Sequence, residues 1–98
     1  MSPLYRLPLR RYDVRLHDRE TRSYLVVPDG GVAHELNPTA RAVWELCDGT
    51  TTVDELVDAI TQLFSVDRDV AVADVLGIVG QLEAAGLVGW APAATEAG

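Results

Sequence analysis

Polarity along the chain changes rhythm near Asn37. Before that point the segments are short and β-like. Tyr12-Asp13-Val14-Arg15-Leu16 alternates polar and apolar positions, the period-two mark of a half-buried strand. Thr21 to Val27, with Tyr24, Leu25, Val26 and Val27, is rich in β-branched and aromatic types and predicts a second strand. Pro28-Asp29-Gly30-Gly31 reads as a turn, because Pro presets φ while Asp and Gly tolerate left-handed backbone. Val32 to Leu36 then predicts a third strand, completing a three-stranded antiparallel meander.

After Asn37 the period becomes helical. Asn37 suits an N-cap and Pro38 a first helical residue, since the N–H that proline lacks has no partner there anyway. This helix carries Ala40, Val43, Trp44 and Cys47 and stops at Asp48-Gly49. Thr52 and Glu55 have capping-box spacing, and Val53, Leu56, Val57, Ile60, Leu63 and Phe64 follow as one apolar face. A third helix is expected from about Asp67 to Ala85, capped by Gly86, with Leu87-Val88 folding back after it. Its core face is expected to be Val72, Val75, Leu76, Val79 and Leu82. Ile78 lies roughly 90° from the centre of that face, beside Ala71, Asp74 and Ala85, with Gln81 further round. One aliphatic among small and acidic residues suits either the wall of a shallow groove or an ordinary exposed Ile.

Sheet first and helices after makes an α+β domain of order βββααα, with a winged-helix-like arrangement of the helices. The 98 residues suit one such domain, at 12–90, between an N-terminal arm at 1–11 and a flexible Ala/Pro/Gly-rich tail at 91–98. No apolar run approaches the ~20 residues of a membrane span, and the first residues lack the apolar core of a secretory signal. A single Cys precludes an internal disulfide and favours a reducing cytoplasm.

Charge narrows the function. The eight basic residues are all Arg, and the net charge is −7. Residues 1–22 carry +3, whereas 23–98 carry −10. So acidic a body repels phosphate backbones, which leaves the N-terminal Arg cluster either as a solvated arm or strand face or as a contact for nucleic acid. Catalytic chemistry is sparse. Cys47 shares a helix face with Val43 and Trp44 and has Asp48 beside it, which raises rather than lowers a thiol pKa and marks it as a core residue. Cys47 with His17 and His34 falls one ligand short of a zinc set and lacks the usual spacings. His34 is in phase with Val32 and Leu36, as a half-buried strand residue or a contact residue. Gly30-Gly31 lies between strands and so is no phosphate loop, and Asp54, Glu55 and Asp58 fit a solvated helix start. The expectation is a binding module with no catalytic, metal or cofactor residues. Its place of binding is the open edge of the short third strand, where an extended peptide can add as a further strand.

Four stretches carry a resemblance: Leu36-Asn37-Pro38-Thr39-Ala40, Leu46-Cys47-Asp48-Gly49, Thr52-Val53-Asp54-Glu55-Leu56, and Asp74-Val75 through Leu82 to Gly86-Leu87. Over roughly Val14 to Val88 the sequence resembles the PqqD family of recognition proteins in ribosomal peptide natural-product biosynthesis. The resemblance implies a RiPP recognition element, which binds the leader segment of a precursor peptide against the third strand and third helix. It carries over to Val32, Ala33, His34, Glu35 and Leu36 on the strand, and to Ala71, Asp74, Ile78 and Gln81 on the helix. Implied partners are the precursor peptide and a modifying enzyme, such as a radical-SAM enzyme or a leader protease, with neither nucleic acid nor membrane. The alternatives are a winged-helix DNA-binding regulator reading with the third helix, and a subunit that only stabilises an enzyme. The single Arg68 on that helix, against Asp67, Asp69, Asp74 and Glu83, disfavours the regulator.

Overall fold

The computed structural model describes residues 3–28 and 33–92. Alternating burial builds the main sheet. In the strand Arg22–Val26, Ser23 and Leu25 are buried while their neighbours face outward. The strand pairs on one side with Arg15–Arg19 and on the other with His34–Leu36, both antiparallel. The expected meander is therefore present, but its first strand lies three residues further along than the Tyr12–Leu16 alternation implies, and its second is trimmed to Arg22–Val26. Val32 and the turn residues Asp29, Gly30 and Gly31 lie outside the described residues. Cross-strand partners share a sheet face. Leu16, Asp18, Ser23, Leu25, His34 and Leu36 thus face the helices, and Arg15, His17, Arg19, Arg22, Tyr24, Val26 and Glu35 face away.

The segment 1–11, expected to be an arm, instead contributes a strand. In chain order the strands are β1 (Leu7–Arg10), β2 (Arg15–Arg19), β3 (Arg22–Val26), β4 (His34–Leu36) and β5 (Val88–Ala91). β1 pairs antiparallel with β5 in a separate two-stranded sheet. It is also bonded to the loop after the first helix: Arg10 N–H donates to the Cys47 carbonyl at 2.8 Å, and Gly49 N–H to the Pro8 carbonyl at 3.0 Å. Pro8 and the single Leu-x-Leu alternation hid this strand, because its partner lies some eighty residues away in sequence.

Of the helices α1 (Pro38–Leu46), α2 (Val53–Phe64) and α3 (Arg68–Ala84), the first two begin where their caps dictate, whereas Asp67 ahead of α3 makes no side-chain capping bond. Asn37 Oδ1 accepts from Ala40 N–H at 2.7 Å. Thr52 and Glu55 close a reciprocal capping box, Thr52 Oγ1 accepting from Glu55 N–H at 3.1 Å and Glu55 Oε1 from Thr52 N–H at 2.9 Å. At the end of α3, Gly86 adopts φ +76° and Leu87 N–H donates to the Leu82 carbonyl at 2.9 Å, which turns the chain into β5.

The core fills the space between the β2–β3–β4 sheet and the three helices, where Leu25, Val43, Cys47, Val53, Leu56, Val57, Ala71 and Val75 are fully buried. Burying a Leu or Val of this kind stabilises the fold by about 1.5–3 kcal/mol. Two expectations need correction. Leu63 and Phe64 are 63% and 37% exposed, because the last turn of α2 runs past the core before Ser65, in left-handed backbone, reverses the chain. The buried arc of α3 is Ala71, Val75, Val79 and Leu82, turned by about 40° from the expected face toward Ile78. Leu76 consequently sits 37% exposed and Ala71 in the core.

Candidate functional site

β4 ends the sheet. Its inner edge pairs with β3, and among the described residues no strand pairs with its outer edge. Such an edge presents backbone N–H and C=O groups available to a guest strand. The chain passes directly from β4 through Asn37 into α1, and there an open cleft of about 320 Å³ lies between the start of α1 and the flank of α3. Asn37 and Thr39 line it on one side, and Ala73, Asp74, Gly77, Ile78 and Gln81 on the other.

Of the helix residues singled out from sequence, Asp74, Ile78 and Gln81 meet in this cleft, with Ile78 half-buried against the core. Ala71 does not join them; rotation of α3 puts it wholly inside. On the strand, His34 is half-buried on the helix side, opposite Leu25, and Leu36 is buried, so Leu36 offers a guest its backbone only. Glu35 faces away beside Tyr24, with its carboxylate 3.7 Å from Arg22 Nε. Ala33 borders a hollow on that outer face, and Val32 lies outside the described residues.

Gly77 was not anticipated. A Cβ built there meets no heavy atom within 4 Å, so no packing demand excludes a side chain, and glycine inside a helix costs about 0.5–1 kcal/mol relative to Ala. Its effect is to leave that part of the α3 side of the cleft as bare backbone. A costly Gly on the same turn as Asp74 and Ile78 was the signal available in the sequence.

The groups that could carry other chemistry lie elsewhere. Cys47 is fully buried, and burial pushes its thiol up to about 12, so it remains a protonated core residue. His17 and His34 lie on opposite faces of the sheet and cannot share a ligand with each other. Arg68, the sole base of α3, binds the carboxylates of Asp54 and Asp58 on α2, leaving that helix no free cation with which to read DNA. No helix among the described residues is long and apolar enough to cross a membrane.

The family model for coenzyme PQQ synthesis protein D (PqqD) matches residues 22–88, from the first residue of β3 through all three helices to the first of β5. The chain belongs to the PqqD family. Within that match lie β4, the cleft and every residue lining it. Among solved structures, the PqqD-family chain is similar to TbiB1 in complex with the TbiA(beta) leader peptide. The TM-score is 0.70 at 22% identity, with 82% of this chain and 93% of that chain covered, a likeness of fold. A comparison with curated proteins found no match.

Proposed function

We propose that the protein is a non-catalytic adaptor that binds the leader segment of a ribosomally made precursor peptide in the cytoplasm. The observation carrying this reading is the edge of β4 that no strand among the described residues covers, running into the cleft lined by Asp74, Gly77, Ile78 and Gln81. Membership of the PqqD family and likeness in fold to a leader-bound protein support it. The leader adds to β4 as a further strand, its backbone bonds contributing roughly 1 kcal/mol each, and its side chains meet Ile78 and the bare backbone at Gly77. Asp74 favours a basic or hydrogen-bond-donating leader residue. Held this way, the rest of the precursor is kept at high effective concentration near a modifying enzyme, such as a radical-SAM enzyme or a leader protease.

The test is fluorescence anisotropy with a labelled leader from a precursor encoded beside this protein. Ile78→Asp should weaken binding by tenfold or more, since a carboxylate replaces apolar contact while the fully buried residues of α3 stay in place. Leader affinity equal to that of the unaltered, folded protein would remove Ile78 and the cleft from the site.

A further inference from the structure

The outer face of the main sheet points away from the helices and from the cleft. Strand alternation gathers Arg15, His17 and Arg19 from β2, Arg22, Tyr24 and Val26 from β3, and Glu35 from β4 on this side. An open hollow of about 1010 Å³ lies over these strands, with Glu20 and Ala33 at its margin. Asp18 also borders it, but its carboxylate is held by Arg41 and Ser23.

The use made of the eight arginines distinguishes this face. Arg6 stacks 3.9 Å from the Trp90 ring, Arg10 donates to the Glu45 carbonyl, Arg11 pairs with Asp13, Arg41 with Asp18 and Glu45, and Arg68 with Asp54 and Asp58. Each of those five is engaged within the fold. The other three stand together on the outer sheet face. Arg22 is held on this face by Tyr24 and by Glu35 at 3.7 Å, whereas Arg15 and Arg19 have no ion-pair partner among the described residues. Three Arg against Glu20 and Glu35 leave this face at +1 within a chain whose remaining formal charge is −8. Guanidinium groups fork onto carboxylates in pairs, and such a patch steers association through charge.

We infer that this face docks an acidic patch on the protein partner that acts on the bound peptide. The part of this inference concerning that partner rests on the leader-binding reading. A strand added to β4 would extend the same sheet, so alternate side chains of the guest would emerge on the outer face beside Glu35. A partner seated there touches the sheet and its guest together. Nucleic acid fits less well, because a phosphate backbone longer than the hollow would meet the acidic remainder of the surface.

The test uses fluorescein-labelled octaglutamate at low ionic strength, with an equally charged DNA oligonucleotide alongside. Octaglutamate should bind and shift backbone amide NMR signals of β2 and β3 while leaving those of Asp74, Gly77 and Ile78 in place. The triple variant Arg15→Glu, Arg19→Glu, Arg22→Glu should bind about tenfold more weakly, the sum expected of three exposed ion pairs. The neutral set Arg15→Gln, Arg19→Gln, Arg22→Gln should give the same direction if charge reversal disturbs folding. Gly77→Leu should leave octaglutamate affinity unchanged, so this measurement stands or falls independently of leader binding. Unaltered affinity in both Arg variants, absence of octaglutamate binding, or tighter binding of the DNA oligonucleotide would each overturn the assignment.

Discussion

Gly77→Leu separates folding from binding because it should move them in opposite directions. Position 77 has open space for a Cβ, and the residue lies within α3 rather than at a cap. Replacing glycine there should therefore stabilise the helix by about 0.5–1 kcal/mol, chiefly by removing backbone freedom from the unfolded chain. For a domain of this size that raises Tm by about 2–8 °C. The same side chain enters the cleft of about 320 Å³. Counting each of its four carbons at about the 30 Å³ of a water, it occupies roughly a third of that space. A leader strand packed into the cleft then meets a clash, and its affinity should fall tenfold or more, equivalent to at least about 1.4 kcal/mol. Gly77→Ala is the control: it keeps most of the stability gain and fills little of the cleft, so affinity should change less than about threefold. Thermal unfolding by circular dichroism and leader anisotropy on the same samples make the assay. A stabilised Gly77→Leu protein with undiminished leader affinity would refute the cleft as the leader's seat, and a destabilised one would refute the open helix face.

Three further outcomes follow from local geometry. Ser65 occupies left-handed backbone at φ 54°, so Ser65→Gly should stabilise the fold by about 1 kcal/mol in urea unfolding. Asp18 accepts from Arg41 Nη2 at 2.7 Å and from Ser23 Oγ at 2.6 Å, bonds that with Arg41 foremost hold its carboxyl down at about 2. Its contribution to stability is thus fully present above the ordinary carboxylate pKa near 3.8 and is lost as pH falls toward 2. Asp18→Asn should accordingly be less stable than the unaltered protein at pH 7 and converge with it near pH 2, as measured by pH-dependent urea midpoints; parallel curves would break the argument. Cys47, with its thiol raised to about 12 by burial, should resist a disulfide reagent at pH 8 in the native protein and react at once in denaturant.

What could be read in the residues themselves was whatever is decided over a few positions of chain. The Asn37 cap, the Thr52–Glu55 box, the Gly86 stop and the β-rich run through Tyr24, Leu25 and Val26 are local hydrogen-bond and propensity effects, and each stands where its residues imply, whereas the Tyr12–Leu16 alternation marks a strand that the fold sets three residues later. The fold class followed from their order. Asp74, Ile78 and Gln81 were legible because a helix flank is set by a period of ~3.6 residues. The β1–β5 sheet was not, since a four-residue strand around Pro8 acquires its meaning only from a partner at the far end of the chain. Nor was the rotation of α3 by about 40°, which packs small Ala71 inward and leaves Leu76 at the surface, because helix packing rather than hydropathy selects the buried arc. Tertiary structure alone also brought Asn37 and Thr39 opposite Gly77, and gathered Arg15, Arg19 and Arg22 on one exposed sheet face. Spacing along the chain sets local conformation, but which residues share a cleft or a face depends on how distant elements pack together.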